Sequence, residues 1–185
     1  MKRRKPIAQE ATNPHITTLA KESDRGCVIL VSSILDYHLT RIHEAFVTAH
    51  LTGVAKPKDF LDSLTNQFGP LNTFSGKIKL ALAYGLIYID EYEALEIVRK
   101  LRNEAAHENL TFSFEDKGIK KLIIALDWFN GKNAVDMSVT KDRFPELSDI
   151  KMMFIRCSYG LRLSLEDRYL DGMTAIQTKL EGKTS

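Results

Sequence analysis

The chain has 185 residues, 44% of them hydrophobic, enough to bury the core of an ordinary domain without disulfides or a bound metal. Its 26 basic and 24 acidic side chains leave a net charge of +2, so no overall field draws it to nucleic acid or anionic lipid. Cys27 and Cys157 lie in apolar segments and form no C-x-x-C pair, which excludes a disulfide scaffold and reads as packed thiols of a reducing, cytoplasmic compartment. At the N-terminus, MKRRK is followed by Pro6 and polar residues where an export signal needs an apolar run. The longest apolar stretches, CVILV and LIIAL, fall far short of the ~20 residues that span a bilayer, so no membrane partner is expected.

Residues 1–21 carry charge and two prolines with little periodic hydrophobicity, which predicts a flexible basic and polar arm. From there Val28, Val31, Leu35, Ile42 and Phe46 recur at helical spacing, the stripe of a long helix closed by Gly53 and Pro57. PKDFLDSL predicts a short helix with Pro57 in its first turn, and NQFGPLN a loop. Thr73 or Ser75 caps the next helix, whose face carries Ile78, Leu82 and Gly85. Asp90 precedes EYEALEIVRKLRNEAAHE, where Leu95, Val98, Leu101 and Ala105 keep helical spacing, acids occupy the first turn as the macrodipole favours, and Asn109 is a stop.

Ile119, Leu122, Ile123, Leu126 and Phe129 form a further helical face ending at Gly131. AVDMSVT alternates polar and apolar residues, predicting a short β element near 133–140, although an isolated strand is marginal. After Pro145, residues 149–170 read as a last long helix. The expectation is an all-α, single-domain helical bundle of about six helices over 22–175, with a polar tail at 176–185. The apolar faces of the first and last helices leave room for a homodimer, or are consumed in one core.

Arg99, Asn103 and His107 fall at i, i+4 and i+8 and so share one helix face, with Arg102 beside it. Such a cluster has the parts for RNA cleavage without metal: an imidazole to move a ribose 2′-hydroxyl proton, a guanidinium to hold phosphate and an amide to orient either. The simpler reading is a histidine favoured by the dipole at a helix end, with Arg and Asn satisfying backbone carbonyls. Asp24, Arg25 and Gly26 stand at the mouth of an intensely apolar helix, where charges need partners. Asp24 or Arg25 is expected to pair with the Arg102 to His107 cluster, with Gly26 letting a neighbouring helix approach; the alternative is a plain N-cap by Ser23 or Asp24. His38, His43 and His50 lack the i, i+4 spacing of a zinc-binding helix, so no metal is expected. With no P-loop and no dinucleotide fingerprint, no cofactor is expected either.

Three segments together resemble the mannitol operon repressor family of bacterial proteins: DRGCVILVSSILD at 24–36, FGPLNTFSGKIKLALAYGLI at 68–87 and IVRKLRNEAAHENLTFSFED at 97–116. Ala105 departs from it, standing where the family pattern more often has an aromatic. The resemblance implies a cytoplasmic, all-helical transcriptional regulator that lowers expression of mannitol uptake and catabolism genes. It implies no helix-turn-helix, so repression would run through a protein partner such as a DNA-binding factor, with DNA engaged indirectly. Asp24, Arg25, Gly26, Arg102, Asn103 and His107 match the family's most characteristic positions. RNEAAH also resembles the R-x4-H signature of the HEPN superfamily. That resemblance implies, as the alternative, a metal-independent ribonuclease with His107 as base, Arg102 on the phosphate and Asn103 orienting.

Overall fold

A computed structural model describes residues 14–51, 56–107, 111–132, 142 and 144–181. Among them stand seven helices: α1 (Pro14–Lys21), α2 (Asp24–His50), α3 (Pro57–Thr65), α4 (Phe74–Ala83), α5 (Ile89–Ala106), α6 (Lys117–Lys132) and α7 (Asp149–Glu181). The all-α expectation holds for the described residues, and the β element near 133–140 lies outside them, as does Asn109. By its internal contacts the chain clusters into two compact units, one built from Met1–Ser33 and Ile97–Leu161 and the other from Ile34–Glu96 and Arg162–Ser185.

The first unit packs α1, the opening turns of α2, the end of α5, α6 and the first part of α7. Cys27, Val28 and Val31 of α2, Val98, Leu101 and Ala105 of α5, and Ile119, Ile123, Leu126 and Phe129 of α6 are buried, as their 3.6-residue spacing requires. Phe114 and Phe154 close this core with rings 5.2 Å apart and tilted by 53°. Residues 14–21, expected within the polar arm, are instead helical and bury Ile16, Leu19 and Ala20. Only two turns long, that stripe is too short to register as a periodicity.

In the second unit Leu35, Leu39 and Ile42 of α2 and Phe74, Ile78 and Ala81 of α4 are buried together with Ala94, Leu95 and Leu165. Thr73 caps α4, its Oγ1 accepting the Gly76 N–H at 3.0 Å. The helix stops earlier than its apolar face suggested. Gly85, expected on that face, takes φ +67° just past the end. The Leu86 N–H reaches the Ala81 carbonyl at 2.8 Å and the Gly85 N–H reaches that of Leu82 at 3.0 Å, the paired bonds of a Schellman stop. Gly69 serves differently, since a Cβ there would lie 2.2 Å from the Leu64 carbonyl oxygen. α7 is also longer than expected, because TKLE, read as tail, continues it to Glu181.

Candidate functional site

In the first unit the start of α2 meets the end of α5, and the link is made through the backbone. Ser23 caps α2, its Oγ accepting the Gly26 N–H at 3.0 Å. That places Asp24 and Arg25 in the first turn, where Arg25 Nη1 donates to the carbonyl oxygen of His107 at 3.4 Å. Asp24 does not join that contact. One of its carboxylate oxygens accepts the Phe114 N–H at 2.9 Å, and the other lies 3.7 Å from Lys151 Nζ. Lys151, nearly buried, also donates to the Glu22 carbonyl. Asp24 thus ties three segments together from the positive end of a helix, a position that favours its charge.

One expectation is corrected by this arrangement. Gly26 does not admit another helix, because a Cβ there would meet Glu22 Oε2 at 2.6 Å and Ser23 Oγ at 3.1 Å, both from residues just before it. Of the two residues offered as partners of that cluster, Arg25 reaches the His107 carbonyl, whereas Asp24 goes to Phe114 and Lys151. Arg102, Asn103 and His107 are all exposed on α5 or just past its end, while Leu101 and Ala105 between them point into the core. Beneath these helix ends, Cys27 is buried, and burial pushes its thiol up to about 12 against the opposing pull of Lys151.

Beside Arg25 lies a cleft of about 380 Å³ lined by Glu104, Phe112, Asp116, Ile119 and Leu122 among others. Asp116 holds one rim in place by accepting the Ser113 N–H at 3.0 Å. A lining that combines one arginine, two acids and apolar side chains suits charge-assisted recognition of a polar partner. Arg102, Asn103 and His107 are not among its lining residues. The aromatic Phe112 and the acid Asp116 escaped sequence reasoning, because only the chain's return after α5 brings them to Arg25.

In the second unit, His43 Nε2 lies 2.9 Å from the Lys77 carbonyl oxygen and His50 Nδ1 lies 2.7 Å from that of Phe46. No group of His, Cys, Asp or Glu among the described residues is arranged to hold a metal ion. No described helix is long and apolar enough to cross a membrane.

The family model described as mannitol repressor matches residues 22–165, a range that contains Asp24, Arg25, the cleft and the exposed end of α5. The chain belongs to the mannitol repressor family. A chain of the X-ray structure of the MtlR-HPr complex from Escherichia coli matches this family member with a TM-score of 0.53 at 17% identity. The match covers 87% of this chain and 99% of that one, and at such identity it establishes the fold alone. Comparison with curated proteins found no match. The three segments on which the family resemblance rested all fall within the matched range. The family model carries the mannitol repressor assignment and not the likeness to the HEPN superfamily.

Proposed function

We propose that this mannitol repressor family member lowers expression of mannitol uptake and catabolism genes by binding a protein partner of the HPr type, with DNA engaged indirectly. The family match over residues 22–165 carries the regulatory part of the reading. A solved complex of MtlR with HPr, one chain of which shares this fold, supports a protein as the partner. The exposed end of α5 suits such a surface. Arg102, Asn103, Glu104 and His107 alternate charge and hydrogen-bonding capacity there, and Arg25 ties the helix end in place. Mixed charge of this kind matches a protein surface better than a run of phosphates, which calls for basic residues without interleaved acids.

The test is titration calorimetry of the full chain with HPr encoded in the same genome, beside a gel-shift series on a mannitol operon promoter fragment. HPr is expected to bind, and Arg102→Glu to weaken it tenfold or more with the fold intact by circular dichroism. A protein that ignores HPr and shifts the promoter fragment unaided, losing affinity steeply with salt, would refute the proposal.

A further inference from the structure

The loop between α3 and α4 holds one large apolar side chain out in solvent. Phe68 is 88% exposed, more than any other large hydrophobic residue among those described. Local hydrogen bonds fix it there. The Phe68 N–H donates to Asn66 Oδ1 at 2.9 Å, the Gly69 N–H to the Asn66 carbonyl at 2.8 Å, and Asn72 Nδ2 to the Gln67 carbonyl at 3.0 Å. The Leu71 N–H then ties the loop back to the Leu64 carbonyl at 2.9 Å, the same oxygen that a Cβ at Gly69 would strike. A ring presented on so fixed a loop costs little further ordering when a partner covers it.

Three residues of this turn, Leu64, Pro70 and Leu71, also line a cavity of about 200 Å³, together with Phe46, Phe60 and Leu80. Phe68 is not in its lining, and none of its described lining residues is an acid, a lysine or an arginine. An apolar cavity of ~150 Å³ takes up a benzene ring, so this one has room for a phenylalanine side chain. One short segment thus carries a projecting ring and part of a hollow that such a ring fits. The exposed charges at α3 are Lys56, Lys58, Asp59 and Asp62, two of each sign. Two copies brought face to face here meet no net repulsion and can set lysine against aspartate.

Phe60, Phe68 and Tyr84, at 43%, 88% and 53% exposed, leave roughly 300–450 Å² of aromatic surface on each copy. A patch of that size on one chain is often an interaction site. Covered on two copies it falls short of the ~1,200 Å² at which stable interfaces begin, so the association is weak and reversible.

We propose that a second copy of this chain docks on this face across a two-fold axis, the Phe68 ring of each copy seated in the cavity of the other. None of Arg102, Asn103, Glu104 and His107, offered above to a protein partner, takes part, so the proposal does not depend on that reading.

Sedimentation equilibrium of the full chain, from micromolar to millimolar concentration, is the test. The weight-average mass is expected to climb from 21.0 kDa toward twice that value. Phe68→Ser, which removes an exposed ring and should leave the fold intact by circular dichroism, is expected to weaken self-association at least tenfold. Leu80→Trp, which fills the hollow, should do the same, with Leu64→Trp in its place if it unfolds. Neither variant pairs with itself, yet a mixture of the two restores one ring in one hollow and should associate more strongly than either alone. A chain that stays monomeric throughout would overturn the proposal and leave this face to some other protein. So would self-association indifferent to Phe68→Ser, which decides the matter if both tryptophan variants unfold, or a mixture no tighter than its components.

Discussion

Two glycines show how backbone and space separate at single residues. A methyl group added at Gly85 or at Gly118 would meet no heavy atom within 4 Å. Gly85, however, sits at φ +67°, where an L side chain crowds its own carbonyl, whereas Gly118 lies in the first turn of α6. Gly85→Ala is therefore expected to cost ~1–2 kcal/mol, and Gly118→Ala to gain about 0.5–1 kcal/mol by restricting the unfolded chain. Thermal melts should move in opposite directions; a common direction would show that backbone conformation is not the deciding factor. Cys27 makes a chemical prediction at the same scale. With its thiol held at about 12, it should resist a disulfide reagent at pH 8 in the folded protein and react only on unfolding.

At the scale of elements, α5 is fixed by an acid that local rules assign to another task. Glu91 stands in the first turn, where the helix dipole alone justifies it, yet it is buried and takes three partners. It accepts the Tyr88 N–H at 2.7 Å, the Ser164 hydroxyl, and Arg168 Nε at 3.2 Å, while the Arg168 guanidinium stacks 3.6 Å over the Tyr88 ring. Glu91→Ala leaves Arg168 without its carboxylate and is expected to cost ~3–5 kcal/mol, read as a lower urea midpoint at unchanged slope. His43 contributes a pH dependence between α2 and α4. Because burial lowers its pKa from 6.5, the unfolded chain binds the proton first. Stability is then full above pH 6.5 and falls as the pH drops below it toward the lower folded value. His43→Phe should flatten the stability profile just below pH 6.5, and an unchanged slope would assign the dependence to other groups.

For the molecule as a whole, the proposed partner makes a measurable demand. A ligand that binds only the folded chain at a hundred times its Kd adds about 2.7 kcal/mol, or roughly 5–10 °C in the melt of a chain this size. HPr should produce that shift, and a protein lacking a complementary surface should produce none. The sequence alone determined the helical class, most helix faces and the family, because burial stripes such as Leu95, Val98, Leu101 and Ala105 are set by neighbours three and four residues away. It also narrowed the α4 cap to Thr73 or Ser75 and the partner of the α5 end to Asp24 or Arg25, of which Thr73 and Arg25 make the contacts. Tertiary structure decided the rest: that Asp24 meets Lys151 and Phe114, that Lys77 is buried on Asp36 at 2.9 Å, that Glu91 receives Arg168, and that His43 lines a cavity with one nitrogen unmet. Those outcomes depend on which segments become neighbours in space. A side chain's local spacing fixes the face it occupies, whereas its partner is supplied by a distant stretch that spacing cannot name.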